Sequence, residues 1–119
     1  MFAARLAATG FTIFSSFAAF ACNVKPEMLR GSWEALSRAG FFRQMELSIE
    51  NGQSEFNSWR HERPEVTGAT WTLEKCTLRI SKPSDPSMSF AYAVSMKGRQ
   101  HLELREPGQP VARYRRVKQ

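Results

Sequence analysis

Histidine, cysteine and aspartate are scarce in this chain of 119 residues. It contains two histidines, His61 and His101, two cysteines and one aspartate, Asp85. No His-x-x-x-His or Cys-x-x-Cys pair occurs, so the chain lacks the ligand spacing of an ordinary zinc site. A Ser–His–Asp arrangement would depend on Asp85, which lies in a Pro/Ser-rich stretch, and there is neither a Gly-rich phosphate loop nor a nucleophile elbow. We therefore expect no metal, no cofactor and no catalytic role.

Acidic residues are outnumbered by basic ones, but the chain is not short of apolar residues. There are 17 lysines and arginines against 11 acidic residues, a formal charge of +6, and 42% of residues are hydrophobic. That composition supports a folded core rather than disorder. The length allows one small domain with one site, and excludes a cofactor domain joined to a catalytic domain.

The first 21 residues have the three parts of a secretory signal peptide. Arg5 supplies a positive charge, residues 11–21 are apolar or small, and Ala19-Phe20-Ala21 offers small residues where a signal peptidase cuts. Ser16-Phe17-Ala18, three residues earlier, is a second candidate cleavage site. The alternative is an uncleaved anchor, because residues 6–24 carry no charge and approach the roughly 20 residues that span a bilayer. We expect cleavage after Ala21, and hence a periplasmic or secreted protein.

Cleavage there would leave residues 22–119 as the mature domain, with Cys22 at its N-terminus. That domain has 119 − 21 = 98 residues and a charge of +5 once Arg5 is gone. Cys22 could form a disulfide with Cys76, which an exported protein can keep. The bridge would close a loop of about 55 residues and contribute roughly 3–4 kcal/mol. Lipidation of Cys22 and two free thiols are the alternatives, and we favour the disulfide.

The mature domain alternates apolar and polar residues over short stretches. From position 45 to 50 odd-numbered residues are apolar and even-numbered ones polar, within a predicted strand over residues 42–50. Asn51-Gly52 then predicts a tight hairpin turn, with a returning strand over residues 53–60. Similar patterns, separated by Gly- and Pro-containing turns, follow at residues 71–74, 76–81, 88–96, 101–105 and 111–117.

Seven or eight short strands in 98 residues predict an all-β fold. We expect a small antiparallel up-and-down barrel, because closure removes the exposed edges of the sheet. Phe56 and Trp59 are an odd number of residues apart, which predicts a bulge or a strand end between them. Residues 26–40 remain ambiguous: either a helix over 34–39, or one helical turn followed by a short strand that Gly31 opens.

A Gly-x-Trp motif stands in front of the strand series, in the sequence Leu29-x-Gly31-x-Trp33. It resembles the lipocalin-like proteins of the calycin group, in which this motif opens the first strand. The resemblance implies that Trp33 closes one end of the barrel beneath an arginine from the last strand. It also leaves carrier and inhibitor open, since small periplasmic barrels include inhibitors of proteases and of lysozyme. The candidate arginines are Arg113, Arg115 and Arg116.

The barrel interior is one candidate binding site. An eight-stranded barrel is wide enough either to be filled by side chains or to hold one small ligand. Bulky residues favour a filled core, while a pocket for a small apolar molecule remains the alternative. The large residues expected to line it are Trp33, Phe56, Trp71, Phe90 and Tyr92.

A surface for a protein partner is the second candidate site, in residues 55–65. Tryptophan and arginine are enriched in interface hot spots. The predicted surface consists of Trp59, Arg60, His61 and Arg63. Alternatively, Trp59 caps the barrel and the charges are merely solvated.

The function that these patterns predict is non-catalytic binding in a bacterial envelope. The partner would be a small apolar ligand or a periplasmic protein, and the alternative function is an inhibitor or accessory protein that engages an enzyme through exposed loops. Nucleic acid is not expected, because the signal peptide directs the chain away from it. Membrane contact is expected only through a lipidated Cys22 or the basic C-terminus, residues 113–119.

Overall fold

The computed structural model describes residues 22–117. The regular structure of this part of the chain is almost entirely β-strand, and it contains no helix long and apolar enough to cross a membrane. The predicted signal peptide, residues 1–21, lies outside the described residues. The elements in chain order are α1 (Pro26–Leu29), β1 (Gly31–Ala35), β2 (Gln44–Glu50), β3 (Gln53–Arg60), β4 (Arg63–Glu74), β5 (Thr77–Lys82), β6 (Asp85–Lys97), β7 (His101–Arg105) and β8 (Ala112–Arg116).

The eight strands form one closed antiparallel barrel in sequence order. Each strand pairs with the next, and β1 also pairs with β8, where Trp33 lies opposite Arg116. Closure leaves no strand of the barrel with an unpaired edge. The all-β, up-and-down barrel predicted from the sequence is therefore confirmed.

The strands follow from period-two patterning. In β2, Met45 and Leu47 are buried while Gln44 and Glu50 are exposed, so one face of the strand points into the barrel. The turn after β2 has positive φ at both central residues, 52° at Asn51 and 76° at Gly52. Asparagine and glycine tolerate that conformation, which explains why the hairpin forms at this dipeptide.

The ambiguous region at residues 26–40 forms one helical turn and a strand. Pro26 starts α1, where a proline loses no helical hydrogen bond, and Gly31 opens β1 at φ 124°. The register between β3 and β4 shifts on either side of Ser58, in the interval where the spacing of Phe56 and Trp59 predicts an irregularity.

Two strands begin earlier than their sequence patterns predict. β4 begins at Arg63 although Pro64 follows, and β6 begins at Asp85 although Pro86 follows. Both prolines stand in the second position of a strand, near the end of the barrel, where a missing backbone donor costs least. The predicted starts, after Gly68 and at Met88, are therefore too late.

Because the strands run up and down, the connections alternate between two ends of the barrel. At the closed end, residues 22–30 precede β1, Leu29 is fully buried, and a Cys22–Cys76 disulfide with a Cα–Cα distance of 5.2 Å ties this segment to the barrel. The closed end comprises residues 22–30 and the turns at 51–52, 75–76 and 98–100. The loop end comprises residues 36–43, 61–62, 83–84 and 106–111.

Candidate functional site

The residues predicted to line the barrel interior do point inward. Trp33 and Phe56 are fully buried, Trp71 and Tyr92 are nearly so, and Phe90 is half-buried near the loop end. The indole N–H of Trp71 donates a hydrogen bond to the carbonyl of Ser48 at 3.2 Å. These rings belong to one continuous cluster of buried side chains.

Phe42 plugs the loop end of the barrel. It lies in the β1–β2 loop, yet it is fully buried. Its ring centroid is 4.8 Å from that of Phe56, 5.2 Å from Phe90 and 6.1 Å from Tyr92, with edge-to-face geometry in each case. Such aromatic pairs add about 0.5–1.5 kcal/mol to the burial of their area. A loop residue therefore completes the packing of the interior.

Contacts between the backbone of the β1–β2 loop and strand β8 hold the loop in this position. The hydroxyl of Tyr114 donates a buried hydrogen bond to the carbonyl of Phe42 at 2.8 Å. Gly40 has φ 91°, and a Cβ at that position would lie 2.5 Å from the Cβ of Ala112. Only glycine allows the loop to approach β8 this closely.

Burial keeps the Tyr114 hydroxyl protonated. Desolvation raises the pKa of Tyr114 to about 12, despite the opposing effects of Arg43 and of the hydrogen bond to Phe42. Burial, together with the charge of Glu106 and with Tyr114, also raises the pKa of Tyr92. At neutral pH both phenols are uncharged, so the Tyr114 hydroxyl remains a donor.

Phe41, in contrast, is exposed beside the plug. It is 43% exposed, and its ring centroid lies 5.4 Å from that of Phe90. The guanidinium carbon of Arg60 is 5.8 Å from the Phe41 centroid, and Nη2 of Arg60 donates to the Phe41 carbonyl. Nε of Arg60 also bonds Glu65 at 2.8 Å. Leu36, 49% exposed, is a second apolar side chain of this loop.

The predicted partner surface lies at the same end. Trp59 is half-buried near the end of β3, whereas His61 and Arg63 are exposed at the β3–β4 turn. His61 has positive φ, 53°, as part of that tight turn, and lines a shallow groove of about 280 Å³ together with Arg43. Of the predicted set, Arg60 is the residue that the structure joins to the exposed aromatic ring. We call Leu36, Phe41 and Arg60 the loop-end surface.

Phe41 and Phe42 are not among the site residues that the sequence predicts. The sequence predicts a strand over residues 42–50 that includes Phe42, but β2 begins at Gln44. On that strand an even-numbered residue would point outward, whereas Phe42 is buried. One feature of the sequence does indicate a loop here: two adjacent phenylalanines directly after Gly40 break the alternation of apolar and polar residues that is typical of a strand.

Trp33 and Arg116 form the contact expected at the closed end. The guanidinium carbon of Arg116 lies 4.2 Å from the centroid of the Trp33 ring, and the indole N–H donates to the carbonyl of Leu29 at 3.0 Å. Arg116 also donates to the backbone carbonyls of Met28 and Arg99, at 2.7 and 2.9 Å. The register thus selects Arg116 from the three candidate arginines.

An ionic network covers the outer wall at β6–β8. The carboxylate of Glu103, only 4% exposed, accepts bonds from Arg113 at 3.1 Å and Arg105 at 3.2 Å, and Lys97 is 3.6 Å away. Hydrogen bonding from Arg113, followed by that from Arg105 and the charge of Lys97, outweighs burial and lowers the pKa of Glu103 to about 2. The network ties three strands together across the wall.

Within residues 22–117, no group of three or more His, Cys, Asp or Glu side chains could hold a metal ion. No family model, curated protein or solved structure matches this chain. Its function has therefore to be inferred from the geometry and surface chemistry of the barrel.

Proposed function

We propose that this chain is an exported, lipocalin-like, non-catalytic binding protein of the bacterial envelope that binds a protein partner through its loop-end surface. The observation that carries the proposal is the burial of Phe42 among Phe56, Phe90 and Tyr92. Because that ring lies inside the barrel, we expect the chain's own side chains to fill the space that a carrier's ligand would occupy, and we expect binding to take place on the exterior.

The loop-end surface has the chemistry of a protein contact. Phe41 offers an exposed ring on a loop that Tyr114 and Gly40 hold against β8. Arg60 lies beside that ring with its guanidinium group partly exposed. An exposed aromatic next to an arginine, on a backbone that is already ordered, loses little conformational entropy on binding.

An inhibitor or accessory protein that engages an enzyme is the form of this function that we favour. Its loops would insert into or cover a cleft of the partner, and the barrel would hold them in place. The carrier of a small apolar ligand is the competing function, and it requires Phe42 to leave the interior. The Gly31-x-Trp33 motif and its Arg116 contact support the lipocalin-like family assignment, and the Cys22–Cys76 bridge is compatible with export.

Site-specific photo-crosslinking in the exporting bacterium tests the proposal. In one variant, the photo-reactive residue benzoylphenylalanine replaces Phe41. In the control variant it replaces Thr72, an exposed residue on the outer wall at β4. We expect position 41 to yield one protein adduct of defined mass that position 72 does not give. The adduct band then identifies the partner by mass spectrometry.

Binding of the purified partner makes the test quantitative. Phe41→Ala should weaken the complex about tenfold or more, as hot-spot residues do, while the exposed Thr72→Ala control leaves it unchanged. Arg63→Ala should also weaken it without lowering the melting temperature, because the Arg63 side chain is exposed. Arg60→Ala should weaken it too, and should lower the melting temperature slightly because it also removes the contacts of Arg60 with Glu65 and the Phe41 carbonyl. Absence of an adduct at position 41, or equal adducts at 41 and 72, would refute the loop-end surface as the binding site.

A further inference from the structure

A cationic groove lies at the closed end, away from the loop-end surface. It has a volume of about 460 Å³ and runs between α1 and the β6–β7 turn. Lys25, Arg99 and Arg116 line it, together with the acid Glu27. Three cations against one carboxylate give this groove a net positive charge. We call it the closed-end groove.

The cations of the closed-end groove are not neutralised by the rest of the barrel. Within residues 22–117, no ion pair involves Lys25, Arg99 or Arg116. The cations of the outer wall, in contrast, are paired with Glu103. Arg116 donates to backbone carbonyls instead. Burial and the nearby positive charge of Arg99 lower the pKa of Arg116, as expected where like charges gather without a counter-charge. The groove is thus suited to an anion.

Apolar side chains flank these cations. Met28 lines the closed-end groove and is 36% exposed, and Val117, 37% exposed, lines an adjoining groove of about 430 Å³ that shares Arg116. In the sequence, Lys118 follows Val117 and adds another positive charge. A ligand matched to this end carries negative charge beside a hydrocarbon region.

We propose that the closed-end groove binds the phosphate group of anionic lipid headgroups, and that the barrel docks on a negatively charged membrane through this end. Lys25 and Arg99 contact phosphates, while Met28 and Val117 enter the boundary between headgroups and acyl chains. This site is separate from the loop-end surface, and it would leave that surface directed away from the membrane. The proposal does not depend on the proposed function.

Lipid is favoured over nucleic acid by the neighbours of the cations. Base recognition by stacking uses exposed aromatic rings, whereas the groove residues are cationic, polar or, at Met28, aliphatic. The exposed phenylalanine, Phe41, lies at the other end of the barrel. An aliphatic side chain beside cations is the usual pattern of interfacial lipid contact.

Vesicle co-sedimentation of the exported chain tests the proposal. We expect binding to vesicles of mixed phosphatidylcholine and phosphatidylglycerol, and no binding to phosphatidylcholine alone. Lys25→Gln with Arg99→Gln should weaken binding about 25-fold, since each basic residue near a lipid surface contributes about fivefold. Met28→Gln should weaken it about fivefold through the lost apolar contact.

A matched control removes the same charge elsewhere. Arg79→Gln with Lys82→Gln takes two positive charges from β5, outside the groove, and should leave vesicle binding within about twofold of wild type because distant charges are screened. Unchanged thermal unfolding of both double variants would show that the barrel is intact, as expected for exposed side chains at positions 25, 79 and 99.

Four results would overturn the proposal. The first is no binding to the anionic vesicles at low salt, and the second is equal loss of binding in the control variant, which would mean attraction by net charge alone. The third is saturable, groove-dependent binding of inorganic phosphate in solution that is at least as tight as binding to the vesicles, which would assign the groove to the free ion. The fourth is equally tight, groove-dependent binding of a double-stranded DNA oligonucleotide.

Discussion

The two ends of the barrel are closed by different means. At the closed end, a covalent bond and an arginine directed at backbone carbonyls hold residues 22–30 in place. At the loop end, one buried ring and one tyrosine hydrogen bond do the same for the β1–β2 loop. The closed end therefore depends on a crosslink and charge, and the loop end on aromatic packing.

This difference separates the buried side chains that hold the barrel together from the exposed side chains that are available for binding. At the loop end the adjacent residues Phe41 and Phe42 divide the two roles, one exposed and one buried. At the closed end Arg116 completes the barrel, while Lys25 and Arg99 line the groove beside it. Substitutions at each end can thus change stability or binding separately.

Phe42→Ala should have the largest effect on stability. Removing a fully buried ring from the loop end leaves a cavity, and we expect a loss of about 3–5 kcal/mol in the free energy of unfolding. The vacated space should bind an apolar fluorescent probe that wild type does not bind. Denaturant unfolding and probe titration measure the two effects.

The neighbouring substitution Phe41→Ala is the control for this prediction. Because Phe41 is 43% exposed and its ring contacts those of Phe42 and Phe90, its removal should cost about 1–2 kcal/mol, clearly less than the removal of Phe42. Equal losses for Phe41→Ala and Phe42→Ala would contradict the assignment of Phe42 as the plug.

Removing the disulfide should have the second-largest effect on the free energy of unfolding. Cys22→Ser with Cys76→Ser releases a constraint on the unfolded chain over a sequence separation of 54 residues. We expect a loss of about 3–4 kcal/mol, together with faster amide exchange in residues 22–30 and little change in the β1–β2 loop. If amide exchange became equally faster at both ends of the barrel, the two ends would not be stabilised independently.

Arg116→Gln should destabilise the closed end by about 2 kcal/mol. It removes the guanidinium group from the face of Trp33 and three hydrogen bonds to backbone carbonyls. Arg115→Gln, which breaks the solvent-exposed contact with Glu34, should cost no more than about 0.5 kcal/mol. Thermal unfolding distinguishes the two variants, and equal losses would argue against a special role for Arg116.

Glu103→Gln should have the smallest effect of the four principal substitutions, about 1 kcal/mol at pH 7, since the cationic partners on this outer wall are solvent-exposed. Its folded-state pKa of about 2 lies below the ordinary value of 4.5. The stabilisation is therefore present above pH 4.5 and is lost as the pH falls toward 2.

Melting temperatures measured across that range test the pH dependence. The difference between wild type and Glu103→Gln should shrink as the pH falls from 4.5 to 2. A difference that stays constant would exclude ionisation of Glu103 as its cause. The loss of stability at low pH should affect both ends of the barrel equally, because the Glu103 network lies on the wall between them.

Much of the barrel could be predicted from local sequence patterns. Alternation identified most of the strands, and Asn51-Gly52 identified the first hairpin because few other residues adopt its turn. The choice of Arg116 over Arg113 and Arg115 could not be predicted, because it depends on the register between β1 and β8. Register is a property of the closed sheet, not of any one segment.

The loop end was the least predictable part. Phe42 is inside because Gly40 brings its loop against β8 and Tyr114 fixes its backbone. Both contacts join residues more than 70 positions apart, and no local pattern encodes such a path. The early start of β4, in spite of Pro64, likewise depends on pairing with β3.

We expect the barrel to be filled by its own side chains and to bind its partner through its exterior. Native mass spectrometry of the exported wild-type chain, at a collision energy that preserves bound molecules, distinguishes a filled barrel from a carrier. We expect the mass of the disulfide-bonded polypeptide with no neutral apolar adduct. A retained apolar molecule at one per chain, lost when Phe56 is replaced by alanine, would contradict it and identify the barrel as a carrier.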